Sequence, residues 1–179
     1  RFMPHLHLSL QHGDDMILKR MKRRHLRDDA IRFCTDARRL RPDIAFSADM
    51  IAGFPTETDE AAENSARLAE ECGIAQLHVF PYSPRPGTPA ARMPQLDRAL
   101  IKARAAALRE RGEALYADHL ARMTGTRQWL LIENNGMAHT ENFTSVATPG
   151  LKPRDLVSVT IAGHNGRHLI IDRQAADAA

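Results

Sequence analysis

Three short segments of this chain set polar side chains, glycine and proline at the ends of apolar runs. They are Ser9-Leu10-Gln11-His12-Gly13, Asp49 through Glu57, and Phe80 through Arg92. Each follows a run that reads as a strand, and ligands of open or barrel-shaped parallel sheets bind at the carboxyl ends of their strands. Ser9 and Gln11 offer a hydroxyl and an amide at such an end, and the same groups are suited to capping the helix that follows. Asp49 lies inside an otherwise apolar run, where a carboxylate is costly to bury unpartnered. It needs either a cofactor or substrate contact or a buried partner such as an arginine. In the third segment Tyr82 can stack on a base or pack under its own proline loop, and Arg85 and Arg92 can reach phosphates. His5, His7, His78, His139, His164 and His168 fall into no metal-ligand spacing, so no metal site and no catalytic side chain is assigned.

The elements that must carry these segments alternate. His5 to Leu10 alternates apolar and polar residues as a short strand, and a turn at 11–15 leads into a short helix bearing Met16, Ile17, Leu18 and Met21. A helix over Asp28–Leu40 places Ile31, Cys34, Ala37 and Leu40 on one stripe and stops before Pro42. The run Ile44–Ile51 predicts a second strand, Thr58 starts a helix that continues to Gly73, and Gln76–Phe80 predicts a third strand. Strands separated by helices of this length make a parallel sheet with right-handed crossovers. Three strands are too few to close a barrel. After the proline loop at 81–89, a long helix is expected over about Gln95–Met123, with Gly112 as a candidate break. Beyond Thr126 the pattern changes to short β runs at 128–133, 141–147, 156–162 and 168–171. Asn134-Asn135-Gly136 and His164-Asn165-Gly166 are the hairpin turns between them, which predicts a small β-barrel.

Composition sets the outer bounds. The chain has 179 residues, 43% apolar and 26% charged, and no apolar run long enough to span a membrane. Cys34 and Cys72 are its only cysteines, too few for a disulfide framework or for the ligand set of a zinc ion or iron–sulfur cluster. A reduced, cytoplasmic setting is expected. The first residues, Arg1 and Phe2, form neither an initiator Met nor a signal core, and the expectation is a piece of a longer protein. Charge is uneven: the net is +4 over residues 1–50, −5 over 51–80, +4 over 81–125 and zero over 126–179. The densest cationic cluster, Lys19, Arg20, Lys22, Arg23, Arg24 and Arg27, reads either as a phosphate-neutralising patch or as a solvated helix end opposing the helix dipole.

Taken in order, His7-Leu8-Ser9-Leu10-Gln11 with Leu18–Arg23, then Ile51-Ala52-Gly53-Phe54-Pro55-Thr56-Glu57-Thr58, then Tyr82–Ala90, resemble the radical S-adenosylmethionine methylthiotransferases. His-Leu-Ser-Leu-Gln and His78-Val79-Phe80-Pro81-Tyr82-Ser83 look most like the MtaB-type branch, the threonylcarbamoyladenosine tRNA methylthiotransferases. Thr140–Thr144 and Val159–His164 resemble the TRAM domain, the RNA-binding barrel that ends such proteins. The resemblance implies a partial parallel (βα) radical SAM barrel at 1–124, an OB-like TRAM barrel at 125–174 and a tail at 175–179. It further implies addition of a methylthio group to carbon 2 of a modified adenosine beside the tRNA anticodon. Complete members use S-adenosylmethionine and two 4Fe–4S clusters, whose ligands precede the matching region and are absent from this chain, so the fragment by itself is expected to be inactive. Under this resemblance Ser9, Gln11, Arg23, Asp49, Ile51 and Gly53 are the S-adenosylmethionine candidates. Arg23 serves either as a partner of the cofactor carboxylate or as an ordinary surface arginine. Tyr82, Arg85, Arg92, Arg127, Lys152, Arg154 and Arg167 are the RNA candidates. The expected partner is the tRNA anticodon stem-loop, with no membrane and a monomeric state. Two alternatives stand beside this reading: a stand-alone RNA-binding module, and an enzyme of the sister branch acting on a ribosomal protein.

Overall fold

The computed structural model describes residues 2–171 and 177–178. The chain forms two compact units. One comprises residues 6–42 and 46–115, and the other residues 1–5, 43–45 and 116–179.

The first unit is an α/β layer with strands β1 (His5–Gln11), β2 (Ala45–Ala52) and β3 (Ile74–Pro81) in the order β1-β2-β3, of which β2 and β3 pair in parallel. Helices α1 (Asp15–Arg20), α2 (Arg27–Leu40) and α3 (Asp59–Glu71) form the connections. Alternation along β2 divides its side chains between two faces. Phe46, Ala48, Met50 and Ala52 are buried, as are Ala30 and Cys34 of α2 and Ala61, Leu68 and Ala69 of α3. Complete burial of a side chain such as Met50 or Leu68 is worth about 1.5–3 kcal/mol. On the opposite face Ser47, Asp49 and Ile51 pair in register with Gln76, His78 and Phe80, so that face is polar up to its Ile51–Phe80 end.

Cys34 packs as its stripe position predicts, against Cys72 at the end of α3. The hydrogen bond with Cys34, reinforced by burial, holds the Cys72 thiol well above the ordinary range and therefore protonated. These cysteines are packing groups.

The long helix α4 runs Arg98–Met123 without interruption. Gly112 is no break, contrary to expectation. A Cβ there would lie 3.0 Å from the Leu77 Cβ, so the glycine is a site of close helix-to-strand approach.

One buried carboxylate fixes the loop after β2. Glu57 is 4% exposed and accepts hydrogen bonds from the amides of Gly53 and of Phe54, the latter at 2.9 Å. Arg104 of α4 supports it, with Nη1 2.9 Å from the Glu57 carbonyl oxygen and 3.7 Å from its carboxylate, and Nη2 2.6 Å from Asp59. Fully buried His12 completes the cluster. Its Nδ1 accepts the Asp14 amide at 3.0 Å, which leaves Nε2 to carry the hydrogen, 3.8 Å from the Glu57 carboxylate and without a hydrogen-bond partner among the described residues.

In the second unit, strands β4 (Arg127–Ile132), β5 (Met137–Thr140), β6 (Ser145–Ala147), β7 (Leu156–His164) and β8 (Leu169–Ile171) pair in the ring β4-β5-β6-β8-β7-β4, a closed five-stranded OB-like barrel. Leu130, Ile132, Ala138, Val146, Val159, Ile161 and Leu169 fill it. The strand expected over 141–147 is a turn at 141–144 followed by the short strand β6, and β5 lies just before it. Thr144 donates its amide to Thr140 Oγ1 at 3.0 Å, and both threonine hydroxyls donate to Asn142 Oδ1. These side-chain bonds hold a tight turn with Phe143 at φ 65° where the alternation imitated a strand. Of the expected tail at 175–179, Asp177–Ala178 form β9 against Val157 and Ser158, and the remainder lies outside the described residues.

His119, 8% exposed, donates from Nε2 to Thr144 Oγ1 at 2.8 Å. Burial, followed by the charge of Arg122, depresses its pKa from 6.5 to about 4.

Glu57→Ala strands the Gly53 and Phe54 amides and removes one of the two carboxylates beside Arg104, and it should cost about 3–5 kcal/mol in denaturant unfolding followed by circular dichroism. Glu57→Gln, which keeps an acceptor oxygen, should cost about half as much, and equal losses would contradict the acceptor role. The stability conferred by neutral His119 is complete above its unfolded pKa of 6.5 and is lost as pH falls toward about 4. The loss is on the order of 3 kcal/mol. Unfolding of the barrel followed by Trp129 fluorescence should show this loss, and His119→Gln should flatten the profile through that window. An unchanged profile would show that another group carries the acid sensitivity.

Candidate functional site

The strand ends of the α/β unit converge on a cleft. Gln11, Arg23, Asp49, Ile51, Phe80, Tyr82, Arg85 and neighbouring loop residues enclose about 590 Å³, within the range of small-molecule sites. A smaller recess of about 290 Å³ shares Gln11, Arg23 and Ile51 and adds Arg20, Lys22 and Phe54.

Asp49 has a partner, and it is a histidine rather than an arginine. His7 on β1 places Nε2 3.2 Å from the Asp49 carboxylate and Nδ1 2.9 Å from Ser47 Oγ, and its ring lies 5.6 Å from that of His78. The carboxylate is thus held in place but still partly open to the cleft. Tyr82 packs edge-on against Phe54, with ring centroids 5.3 Å apart at 72°, in a small cluster with Ile17 and Ala61. Its hydroxyl is buried without a hydrogen-bond partner among the described residues, and desolvation raises its pKa above the usual phenol range. The ring therefore lines the cleft and packs against Phe54 at once.

Gly53 lies beneath this surface. It has φ 79°, and a Cβ would lie 2.8 Å from Ile101, so the residue shapes the loop rather than lining the cleft. Ser9 is exposed on β1 two residues before Gln11 but does not line the cleft. Arg92 belongs to the short 3-10 helix Ala90–Arg92, away from the lining. Arg127, Lys152, Arg154 and Arg167 are exposed on the barrel unit, and Arg127 Nε donates to Ser158 Oγ at 2.8 Å.

Sequence reasoning missed His7 as the group orienting Asp49, and it missed Lys22, Phe54 and Phe80 as lining residues. It also missed strain. Gln11 at the end of β1, Lys22 and Thr56, three non-glycine residues around the cleft, have φ of 69°, 58° and 68°. Backbone of this kind persists where surrounding contacts enforce it, and it clusters at functional sites. The exposed aromatic surface on the barrel was overlooked as well. There Phe143 stacks on His139 at 4.5 Å and Trp129 is 41% exposed, in a groove whose lining includes Glu133 and Glu141. Among the described residues no group of three or more His, Cys, Asp or Glu could hold a metal ion.

The Radical SAM superfamily model matches residues 2–69. The threonylcarbamoyladenosine tRNA methylthiotransferase MtaB of Rickettsia prowazekii is 56% identical over 146 residues, which cover 82% of this chain and 35% of that protein. A tRNA-2-methylthio-N(6)-dimethylallyladenosine synthase of Cereibacter sphaeroides is 37% identical over 182 residues, 97% of this chain and 42% of the relative. Another from Ehrlichia chaffeensis is 48% identical over 94 residues, 52% of this chain and 21% of its own length. The chain thus spans well under half the length of these relatives. A partial parallel sheet with its cleft, the family match and the identity to MtaB together show that this chain carries part of a radical SAM superfamily domain and is a homologue of the MtaB-type tRNA methylthiotransferases.

Proposed function

We propose that this chain is the C-terminal part of a tRNA methylthiotransferase that adds a methylthio group to carbon 2 of threonylcarbamoyladenosine beside the anticodon. The observation that carries the proposal is the cleft. Gln11, Arg23, Asp49 and Ile51, each expected to hold S-adenosylmethionine, line one cavity together with Tyr82 and Arg85, expected to meet RNA. The identity to MtaB favours threonylcarbamoyladenosine as the nucleoside.

S-adenosylmethionine, when bound, supplies the methyl group and the source of the radical. The Gln11 amide can donate and accept at its edge, Ile51 offers an apolar wall, and the Asp49 carboxylate, oriented by His7, accepts from a hydroxyl or ammonium group. Arg23 presents two parallel donors suited to a carboxylate. A 4Fe–4S cluster does not fit the residues present. It takes three or four thiolates, and the two cysteines of this chain are buried against each other. The fragment alone is therefore catalytically incomplete. No helix among the described residues is long and apolar enough to cross a membrane. A cytoplasmic, monomeric protein acting on the anticodon stem-loop fits this reading.

The test is nucleoside mass spectrometry. The full-length protein, reconstituted with iron and sulfide and supplied with S-adenosylmethionine, should convert threonylcarbamoyladenosine in tRNA to its 2-methylthio form. The 179-residue chain alone should give none. Conversion of dimethylallyladenosine instead, or of a ribosomal protein with the tRNA left untouched, would overturn the substrate assignment.

A further inference from the structure

Helix α1 ends in an unusual way. Arg23 N–H donates to the Leu18 carbonyl at 2.9 Å and Lys22 N–H donates to the Lys19 carbonyl at 3.0 Å, the paired bonds of a Schellman motif with Met21 as C-cap. In that motif the residue after the C-cap is left-handed and is usually glycine, and the next is commonly an apolar residue packed back on the helix. Here the left-handed position is Lys22, at φ 58°, and the next is Arg23. Both positions that the motif would fill for stability hold cations instead. A strained lysine kept where glycine would be relaxed points to use of its side chain.

The surroundings agree. The loop is fastened at its far end: His25 Nε2 lies 3.1 Å from the Leu10 carbonyl, Asp29 accepts the Leu26 amide at 2.9 Å, and Asp15 accepts the Arg27 amide at 2.8 Å. Its charges are free. Lys19, Lys22 and Arg24 are exposed and have no carboxylate partner among the described residues. By contrast, Arg27 is paired with Glu71, Arg32 with Asp29, Arg39 with Asp36, Arg67 with Glu63 and Arg111 with Glu70. Lys19 and Arg20 are the basic residues of the last turn of α1, so a helix-end role does not account for Lys22 and Arg24. Lys22 lines the recess that shares Gln11 and Arg23 with the main cleft, and Arg85 lines the cleft itself.

We propose that Lys19, Lys22 and Arg24 form a rigid phosphate clamp that holds the backbone of an RNA strand at the mouth of the cleft. This deepens the function proposed above and rests on it for the identity of the RNA. The barrel is the weaker candidate for bulk phosphate binding. Its segment has zero net charge, and its aromatic groove is lined by Glu133 and Glu141.

The test is fluorescence anisotropy of a short RNA hairpin with an unpaired loop, titrated with the 179-residue chain over a salt series. Lys22→Gly relaxes the backbone, so it should melt no lower than the parent chain and yet bind several-fold more weakly. The triple variant Lys19→Gln, Lys22→Gly, Arg24→Gln should bind about tenfold more weakly at low salt, with the slope of log affinity against log salt shallower by about 2. A control triple, Arg32→Gln, Arg39→Gln, Arg67→Gln, removes equal charge from paired sites and should bind like the parent. The clamp is overturned if the two triples weaken binding equally, if neither does, or if the parent chain shows no salt-dependent binding. The outcome is separable from that of the methylthio assay: full-length protein that modifies tRNA while loop variants bind normally sinks the clamp alone, and loop-dependent binding without modification sinks the enzymatic reading alone.

Discussion

The α/β unit depends on a carboxylate taken out of water. Glu57 satisfies the Gly53 and Phe54 amides at the point where β2 turns over the cleft, and in doing so fixes the path of the loop from Ile51 to Thr58. Burial of a charge is tolerable only when its partners are complete. Arg104 supplies the opposite charge from α4, and the two backbone amides supply the fixed dipoles. The cluster therefore ties together the end of β2, the start of α3 and the long helix, which also approaches β2 closely where Ile101 meets Gly53. His12 adds only a long contact, its Nε2 standing 3.8 Å from the Glu57 carboxylate.

Around this fixed point the loops are strained rather than relaxed. Gln11, Lys22 and Thr56 all adopt the left-handed backbone that glycine takes at little cost, while Gly53 takes it beneath them. Thr56 is braced by Arg20, whose Nη1 lies 2.5 Å from Thr56 Oγ1, and Lys22 by the Schellman bonds. Local preference and native conformation disagree at these three positions and agree along most of the helices. Phe143 and Arg154 of the barrel unit share this backbone, so the strain is not unique to the α/β unit, but around the cleft it gathers three residues with bracing contacts beside them.

What the sequence revealed and what it concealed divides along the same line. Strands, helices and the closed barrel were legible because alternation and helical spacing report directly on which face is buried, as for Phe46, Ala48 and Met50 on β2. Thr58 was legible as a helix start because its hydroxyl caps the Ala61 amide at 3.1 Å. The cleft was legible in outline, since residues at strand ends must converge. The pairing of Asp49 with His7 was not, because it depends on which strands are neighbours and in what register. The turn at 141–144 was hidden because threonine and asparagine side chains can close a turn inside a pattern that alternates like a strand. Gly112 misled because a missing Cβ serves close packing as well as it serves a break.

The two units solve the problem of the sheet edge differently, and this bears on how each can work. In the barrel the pairing of β4 with β7 closes the ring, so each of the five ring strands has a neighbour on both sides and the core needs nothing further. In the α/β unit β1 and β3 are each paired on one side only among the described residues, and the face bearing His7, Asp49 and His78 stays polar and partly open. Parallel sheets are ordinarily covered on both faces, and a bare polar face costs little only while water solvates it. Such a face is poor material for a hydrophobic core and good material for a ligand that brings its own hydrogen-bonding groups. The stability of this unit must therefore come from the helix side, from Met50, Leu68 and the Cys34–Cys72 contact, which leaves the polar face free to be shaped by what it binds.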